Sequence, residues 1–343
     1  MKLGRIIADT FLLFPSTGYY AVQKIRERAY LSGLFSRIEP PVPVVSVGNL
    51  LMGGSGKTPA VIFLAGMLRA AGFKPSVVSR GYRGTYRAPY LVVSDGTSSQ
   101  PLVGPAVAGD EPYLIASRLP DIPVIVGRKR INPVSAAFDL FQSNVVILDD
   151  GFQHLALKRY ADIVLVNGFE DRMFPLGRLR EPLSALKRAN ILVLMGRNAS
   201  LPAAAEAYVR GLPIFRCEQI AVGLVRGFSS PLISPSAYHG QPVMLASAIA
   251  NAVRFRNLAL DLGWKVLDHK VFPDHHVFAD SELQRILQEA GQSAIVVTEK
   301  DWVKLPEWFK STGRVAALRI ELAFNQKEHF VQAVLDSFSG HLD

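Results

Sequence analysis

The sequence predicts an α/β protein in which a mostly parallel sheet lies between layers of helices. Short runs rich in Val and Ile alternate with helical patterns along most of the 343 residues. These runs are apolar almost throughout, as is typical of strands that are covered on both faces. One run breaks into a glycine-rich loop that is followed at once by a helical pattern. This alternation favours parallel strands that are joined through helices.

An amphipathic helical segment is expected over residues 1–38. Its apolar residues recur at helical spacing, and basic residues accompany them: Leu3, Ile6, Ile7, Phe11 and Phe14, with Lys2, Arg5, Lys24, Arg26 and Arg28. Arg5 and Asp9 interrupt the apolar pattern, so it is too short for a membrane span, and no signal-peptide cleavage site follows it. The segment either packs on the body of the protein or lies in a membrane interface.

Residues 39–222 are predicted to form a first, larger α/β domain. Strands are expected at 42–47, 76–79, 90–93, 123–126, 145–148, 163–166 and 191–194. Helices are expected at 58–71, 111–118 and 131–141.

Residues 223–343 are predicted to form a second, smaller α/β domain. Turn-forming residues are concentrated over 220–245, so loops are expected there. The alternation then restarts, with strands at 243–247, 265–267 and 294–298 and helices at 251–262, 281–290 and 326–338.

Charge and cysteine content narrow the classes of function. The net charge of +9 and the pI near 9.6 favour a polyanionic partner, which could be a nucleotide, a nucleic acid or an anionic membrane surface. Cys217 is the only cysteine, which excludes an internal disulfide and fits a reducing compartment. We expect it to be a buried, inert side chain in a strand.

The segment Gly53-Gly54-Ser55-Gly56-Lys57-Thr58 predicts a phosphate-binding loop of the P-loop type. Small residues let backbone N–H groups surround an anion, while Lys57 would reach the outer phosphates and the Thr58 hydroxyl would bind Mg²⁺. The first glycine of the usual motif is absent, because Leu51 occupies its position. A nucleoside triphosphate with Mg²⁺ is therefore the expected ligand.

Asp149 and Asp150 follow an apolar strand. In nucleotide-binding parallel sheets, an acidic residue at the carboxyl end of a strand beside the loop completes the Mg²⁺ shell. Adjacent carboxylates also repel each other, and a cation would relieve this repulsion. At least one of the two is expected to bind Mg²⁺.

Two further polar segments each allow two interpretations. In Gly109-Asp110-Glu111-Pro112, the acids either favour the start of a helix through its dipole or supply a general base. In Phe272-Pro273-Asp274-His275-His276, a histidine is either structural or orients a catalytic carboxylate. A Cys cluster or an H-E-x-x-H motif that would indicate zinc is absent from the sequence.

Arginines follow predicted strand ends in three segments, 79–84, 126–130 and 177–182. This placement suits contacts to the phosphates of a nucleotide or substrate, although solvated surface arginines would look the same. Proteins that read single-stranded nucleic acid interleave several aromatic residues with basic ones across a sheet face. Because these segments do not, we expect no nucleic-acid partner.

Taken in order, these motifs resemble the tetraacyldisaccharide 4′-kinase family of lipid A biosynthesis. The matching segments lie within about residues 40–305, at 47–49, 53–59, 79–82, 109–112, 126–128, 149–154, 179–182, 272–276 and 298–301. The resemblance implies transfer of the ATP γ-phosphoryl group to the 4′-hydroxyl of a tetraacylated glucosamine disaccharide 1-phosphate, which gives lipid IVA. It further implies two α/β domains, with the smaller one contributing to an active-site cleft.

The resemblance also implies a location and partners. The protein would lie at the cytoplasmic face of the inner membrane of a Gram-negative bacterium, held there by its N-terminal helix. With the family's lipid substrate added, the interfacial interpretation of residues 1–38 is favoured, because basic residues are attracted to anionic lipids. A monomer is expected.

By the same resemblance, roles are implied for individual residues. Asp110 would be the general base and His275 its partner. Lys57 and Thr58 would hold phosphate and Mg²⁺, with Glu111 also among the metal-side groups. The remaining metal-side residues would be Asp149, Asp150 and Gln153, and the cleft residues would be Arg130, Glu181 and His276.

The segment 246–255 departs from the family pattern. Alanines at 248 and 250 stand where the family has glycines, which puts the local backbone geometry in doubt.

Two other classes of protein share some of these features. A partition or septum-positioning ATPase has a similar loop and membrane helix, but it carries a lysine where this chain has Met52. A nucleic-acid-binding NTPase would explain the basic charge.

Overall fold

A computed structural model describes residues 2–54, 56–168, 172–197 and 199–339 and, within these ranges, the side chains of 13–338. The chain forms two compact units, each made from separate stretches of sequence. Unit 1 contains residues 1–80, 127–218 and 323–343, and unit 2 contains residues 81–126 and 219–322. The second stretch of unit 2 begins at residue 219, close to the domain boundary expected between residues 222 and 223. Residues 81–126 belong to unit 2 and residues 323–343 to unit 1, which differs from the expected division. The difference arises because the chain leaves each unit and returns to it.

Unit 1 is built around a parallel sheet. Its elements are α1 (Lys2–Leu31), β1 (Val44–Asn49), α2 (Lys57–Ala70), β2 (Pro75–Ser79), α5 (Ile131–Phe141), β5 (Val145–Asp149), β6 (Ala161–Val166), β7 (Ile191–Met195), α6 (Ala203–Glu206), the first part of β8 (Ile214–Val225) and α11 (Lys327–Ser339). The strand order is β2-β5-β1-β6-β7-β8, with every pair parallel. Strand β1 therefore lies between β5 and β6, so the loops after β1 and β5 leave the same edge of the sheet.

Unit 2 contains a parallel sheet and an antiparallel pair. Its elements are β3 (Leu91–Asp95), α3 (Pro105–Ala108), α4 (Asp110–Arg118), β4 (Pro123–Val126), the end of β8, β9 (Pro242–Ser247), α7 (Ala252–Asp261), β10 (Lys265–Val271), α8 (Asp280–Ala290), β11 (Ala294–Thr298), α9 (Glu299–Trp302), α10 (Glu307–Lys310) and most of β12 (Val315–Phe324). Strands β10-β9-β11-β12 are parallel, whereas β3 and β4 pair antiparallel.

The fold class expected from the sequence is confirmed, and most of the expected elements are present within a few residues. Two strands were not predicted. Strand β8 occupies residues 214–225, so the loop region expected from residue 220 begins only after Val225. Strand β12 was missed because it carries Arg319 and Glu321, whose charges are paired in unit 2 with Glu299 and Arg118.

Gly48, in β1, is required by close packing against the segment that follows β5. A Cβ atom at this position would lie 2.5 Å from Cβ of Phe152, which is completely buried. Real Cβ atoms do not approach so closely, so only glycine lets β1 run beside the residues after Asp150. This contact sets the distance between the loop that follows β1 and the segment 150–154.

Candidate active site

The glycine-rich loop lies between β1 and α2, as the sequence predicts. Gly53 and Gly56 have φ of 102° and 81°, in the left-handed region that favours glycine. Gly56 immediately precedes α2, and Lys57 is the first residue of that helix. Ser55 is outside the described residues. A helix N-terminus reached through glycines presents backbone N–H groups and the positive end of the helix dipole to an anion.

Lys57 is held beside the acidic end of β5. Its Nζ lies 3.4 Å from Oδ1 of Asp150 and 3.4 Å from Oδ1 of Asn49. Arg180 donates from Nη1 to both carboxylate oxygens of Asp150, at 3.0 and 2.9 Å. Burial alone would raise the pKa of Asp150, but the charges of Lys57 and Arg180 outweigh it and hold the pKa below its ordinary value.

Asp149 and Asp150 have different surroundings. Asp149 is 2% exposed, and its Oδ2 accepts a hydrogen bond of 2.8 Å from Oγ of Ser79. Asp150 adopts a φ of 53°, which turns the chain directly after the strand. Ser79 is thus the polar partner of Asp149, whereas the cationic side chains of Lys57 and Arg180 contact Asp150.

The donors near the loop suit Mg²⁺ without forming a complete site. In the described part of the chain, no three His, Cys, Asp or Glu side chains come together as a metal site. Mg²⁺ is usually bound by one or two carboxylates together with substrate phosphates and water. Asp149, Asp150 and the Thr58 hydroxyl are of the right chemistry for that pattern.

Gln153 and Glu181 connect the segment after β5 to the rest of unit 1. Gln153 donates from Nε2 to the carbonyl oxygen of Asn49 at 2.8 Å and lies 3.5 Å from Oε2 of Glu181. Glu181 is 2% exposed and accepts from Nη2 of Arg188 at 2.6 Å. Burial raises the pKa of Glu181 although Arg188 opposes the rise. These contacts position the end of β1, and the metal role of Gln153 and the substrate role of Glu181 stay predictions.

Helix α1 makes polar contacts with the same part of unit 1. Glu27 accepts hydrogen bonds from Lys24 and from Arg188, the arginine that also contacts Glu181. Arg26 donates from Nη2 to the carbonyl oxygen of Gln153 at 2.9 Å. The polar face of α1 therefore packs on the body of unit 1.

Arg130 and His154 belong to a basic region of unit 1. Arg130 is 4% exposed, directly precedes α5 and donates to the carbonyl oxygen of Gly127 at 2.9 Å. Burial lowers the pKa of His154 to about 4, and four nearby positive charges add to the effect: Arg130, Arg159, Arg26 and Arg80. His154 is therefore neutral near pH 7. The role of Arg130 as a cleft residue stays a prediction.

Unit 2 brings Asp110 and His275 together, although 165 residues separate them in sequence. Asp110 begins α4, and the preceding Gly109 has a φ of 96°; a Cβ there would lie 2.6 Å from the carbonyl oxygen of Tyr82. Nδ1 of His275 lies 3.1 Å from Oδ2 of Asp110. The backbone of His275, at a φ of 62°, donates to Ala248 and accepts from Arg83.

Lys300 lies at the centre of a charged cluster beside this pair. Its Nζ is 3.1 Å from Nε2 of His275, 3.1 Å from Oε1 of Glu111 and 3.3 Å from Oδ1 of Asp274. Burial alone would lower the pKa of Lys300, but the two carboxylates outweigh it and raise the pKa above its ordinary value. Glu111, which was predicted to be on the metal side, is thus paired with Lys300, and its metal role stays a prediction.

His276 turns to different partners from His275. Its Nε2 lies 2.8 Å from Oε2 of Glu282, and its ring stacks on Phe272 with the centroids 4.9 Å apart. Glu282 also accepts from the backbone N–H of Ala279, just before α8. These contacts give His276 a structural role, and its predicted substrate role stays a prediction.

Comparison with known proteins places these features in one family. The family model for tetraacyldisaccharide-1-P 4′-kinase matches residues 8–339. A tetraacyldisaccharide 4′-kinase of Anaeromyxobacter sp. is 37% identical, with 97% of this chain and 92% of the relative covered. One from Desulfatibacillum aliphaticivorans is 35% identical over 94% and 91% of the two chains.

The chain belongs to the tetraacyldisaccharide 4′-kinase family. A crystal structure of LpxK from Aquifex aeolicus in complex with ATP is 30% identical, has a TM-score of 0.80 and covers 96% of this chain and 99% of its own. The resemblance of the motifs is therefore confirmed. The alternative of a partition or septum-positioning ATPase finds no support in these comparisons.

The two alanines that depart from the family pattern of glycines are compatible with their backbone. Ala248 and Ala250 are not among the described residues with positive φ. The backbone of Ala248 accepts from His275 and donates to Oδ2 of Asp301. Alanine therefore leaves in place the backbone contact that supports His275.

Lys300 is a kinase-family motif residue for which the sequence predicted no role, and Arg180 was expected only as one of several arginines placed to contact phosphates. Both lie in segments that match the family, Arg180 beside Glu181 and Lys300 after Glu299. The available signal was a basic residue inside an acidic motif, which indicates a paired charge. The partner could not be inferred, because Asp150 is 30 residues from Arg180 and Glu111 is 189 residues from Lys300.

Proposed function

We propose that this chain is an ATP-dependent kinase that phosphorylates the 4′-hydroxyl of a tetraacyldisaccharide 1-phosphate, giving lipid IVA. The observation that carries the proposal is the hydrogen bond between Asp110 and His275, in a chain of the tetraacyldisaccharide 4′-kinase family. A carboxylate held by an imidazole is suited to accept a proton from a hydroxyl group.

In the proposed reaction, the 4′-oxygen forms a bond to the γ-phosphorus as the bond between that phosphorus and the β–γ bridging oxygen breaks. The hydroxyl proton goes to Asp110, and ADP leaves. Asp110 is the general base, and His275 holds its carboxylate in position through Nδ1.

The glycine-rich loop would bind the phosphates of ATP. We assign the backbone of Gly53, Gly54, Ser55 and Gly56 to the cradle, and Lys57 to the charge of the outer phosphates. Lys57 and Arg180 both pair with the Asp150 carboxylate. Because the carboxylate also pairs with Arg180, it does not fully neutralise the positive charge of Lys57.

Thr58, Asp149 and Asp150 are the residues that would hold Mg²⁺, with Gln153 and Glu111 as further predicted metal-side groups. A bound Mg²⁺ would neutralise charge on the phosphate oxygens. The protein's part includes keeping the Asp150 carboxylate ionised, which its lowered pKa supports.

We further propose that the protein docks on the cytoplasmic face of the inner membrane through α1. Phe14, Val22 and Ile25 are 87%, 60% and 68% exposed and share one face of the helix. The opposite face packs on unit 1 through Ser16, whose Oγ donates to Met173, and through Glu27. In the described part of the chain, no helix is long and apolar enough to cross a bilayer.

The direct test is transfer of label from [γ-³²P]ATP to a detergent-dispersed tetraacylated disaccharide 1-phosphate in the presence of Mg²⁺. We expect radioactive phosphate in the lipid on thin-layer chromatography. Hydrolysis of ATP with no label in the lipid would contradict the proposed function.

Asp110→Asn tests the assignment of the base in the same assay. Loss of the proton acceptor should lower kcat by ~10²–10⁴ with little change in the KM for ATP. Asp261→Asn is the matched control, because Asp261 is an exposed carboxylate at the end of α7. Near-full turnover by Asp110→Asn would refute the role of Asp110 but not the kinase activity.

A further inference from the structure

Lys300 is a partly buried charge that the proposed function leaves unused. We propose that Lys300 is a positioning residue that fixes His275 as the neutral tautomer with its proton on Nδ1. The inference rests on the proposed function for its consequence, but the tautomer itself can be observed without turnover.

The position of Lys300 is set by two contacts between α4 and α9. Lys300 pairs with Glu111 at the start of α4, and Arg118 at the end of α4 pairs with Glu299 at 2.7 Å. Both ends of the helix that carries Asp110 are therefore joined to the four-residue helix that carries Lys300. Such a two-point attachment fixes the ammonium group relative to the Asp110 carboxylate.

Lys300 remains an ammonium group because two carboxylates face it. Oε1 of Glu111 and Oδ1 of Asp274 lie 3.1 and 3.3 Å from Nζ of Lys300. An ammonium group has three donors and no acceptor. In the contact of 3.1 Å with His275, Lys300 must therefore be the donor.

This direction of donation determines the protonation of His275. Nε2 must accept, so it carries no proton, and the single imidazole proton lies on Nδ1. Nδ1 then donates to Oδ2 of Asp110 at 3.1 Å. The other charged groups facing His275 are Asp274, 3.9 Å from Nε2, and Arg83, which donates to the carbonyl oxygen of His275 rather than to its ring.

This tautomer gives Asp110 and His275 different roles in proton transfer. Neither ring nitrogen of His275 can accept a further proton without losing a contact, since Nδ1 already carries one and Nε2 faces an ammonium group. The proton of the substrate hydroxyl must then go to Asp110. Lys300 thus acts through His275 and needs no contact with the substrate.

The first test is ¹⁵N NMR of histidine-labelled protein, with the His275 signals assigned by their absence in His275→Gln. In the wild-type protein we expect an unprotonated Nε2 and a protonated Nδ1. A protonated Nε2 would overturn the proposal, and this measurement needs no variant of Lys300.

The second test compares Lys300→Met with Lys300→Arg. Met removes the donor, so the Nε2 signal should move toward the protonated form and kcat should fall about tenfold or more, as expected for a mispositioned catalytic group. The KM for ATP should stay within about twofold. Arg keeps a charged donor and should restore both the signal and most of kcat.

Lys270→Met is the matched control, because Lys270 also bridges two carboxylates of unit 2, Asp268 and Glu289. It should change neither the His275 signals nor kcat. If Lys300→Met leaves the tautomer and kcat as in the wild type, the proposal is wrong. If the tautomer is as expected but no lipid is labelled by the wild-type protein, the proposed function fails and the positioning of His275 stands.

Discussion

At the scale of single residues, charges that are far apart in sequence carry most of the site chemistry. Asp110 meets His275, Asp150 meets Arg180, and Glu181 meets Arg188. Lys57 and Arg180 lower the pKa of Asp150 against the effect of burial, whereas burial raises the pKa of Glu181 although Arg188 opposes the rise. The identity of the acids was visible in the motifs, but their partners were not.

His154 predicts a measurable dependence of stability on pH. In the unfolded chain this histidine binds a proton below its ordinary pKa near 6.5, whereas the folded protein does not bind it until the pKa of about 4. The unfolded state therefore holds more protons in this window, so stability falls as the pH decreases from 6.5 to 4, by up to about 3 kcal/mol. His154→Gln removes this contribution.

The measurement is the urea midpoint of unfolding at pH 7 and pH 4.5. We expect a smaller decrease in midpoint for His154→Gln than for the wild-type protein. His329→Gln, at an exposed position of α11, should follow the wild type. An equal decrease in all three proteins would show that His154 does not titrate as described.

At the scale of elements, the sequence predicted strands where apolar residues are continuous and missed them where charges intervene. Strands β1 and β5 are fully buried along their length, and both were predicted. Strand β12 places Arg319 and Glu321 beside partners from other parts of unit 2, and it was not predicted. A charged residue in a strand becomes compatible with burial only through a distant partner, which local sequence does not specify.

Gly48 gives a prediction about β1. Gly48→Ala would place a methyl group 2.5 Å from Cβ of buried Phe152, so either β1 or the segment 150–154 must move. We expect a loss of stability of ~1–3 kcal/mol from overpacking, together with a raised KM for ATP because β1 leads directly into the glycine-rich loop.

Gly66→Ala is the control for this prediction. Gly66 lies within α2, and a Cβ there meets nothing within 4 Å. Alanine should therefore leave stability unchanged or raise it by ~0.5–1 kcal/mol through helix propensity. Denaturant midpoints and ATP kinetics measure both variants, and equal behaviour of the two would contradict the packing argument for Gly48.

At the scale of the whole molecule, the order of the motifs along the chain is sufficient to indicate the family. Three features are each common alone: the glycine-rich loop, the acidic end of β5 and the segment that contains His275. Their order over about 260 residues is specific to the kinase family. The grouping of residues 81–126 with 219–322 was not predictable in the same way. Periodicity reports which faces are buried, and it does not report which distant stretch buries them.

The net charge of +9 and the exposed face of α1 together predict binding to anionic vesicles. Basic residues contribute ~1 kcal/mol each near an anionic surface, and this part should weaken as salt rises. A triple variant of Phe14, Val22 and Ile25 to Ser removes exposed apolar side chains only, so it should fold normally. It should bind vesicles at least ~10-fold more weakly, because burying each side chain contributes on the order of 1–2 kcal/mol.

The control for vesicle binding changes three exposed apolar residues outside α1, namely Val253, Leu260 and Leu267, to Ser. Co-sedimentation with vesicles that contain anionic lipid, at low and physiological salt, compares the two variants with the wild-type protein. Since the control keeps both the net charge and the α1 face, it should bind as the wild type does. Equal binding by all three proteins would leave charge as the whole attraction and refute the assignment of the apolar face of α1 as the membrane contact.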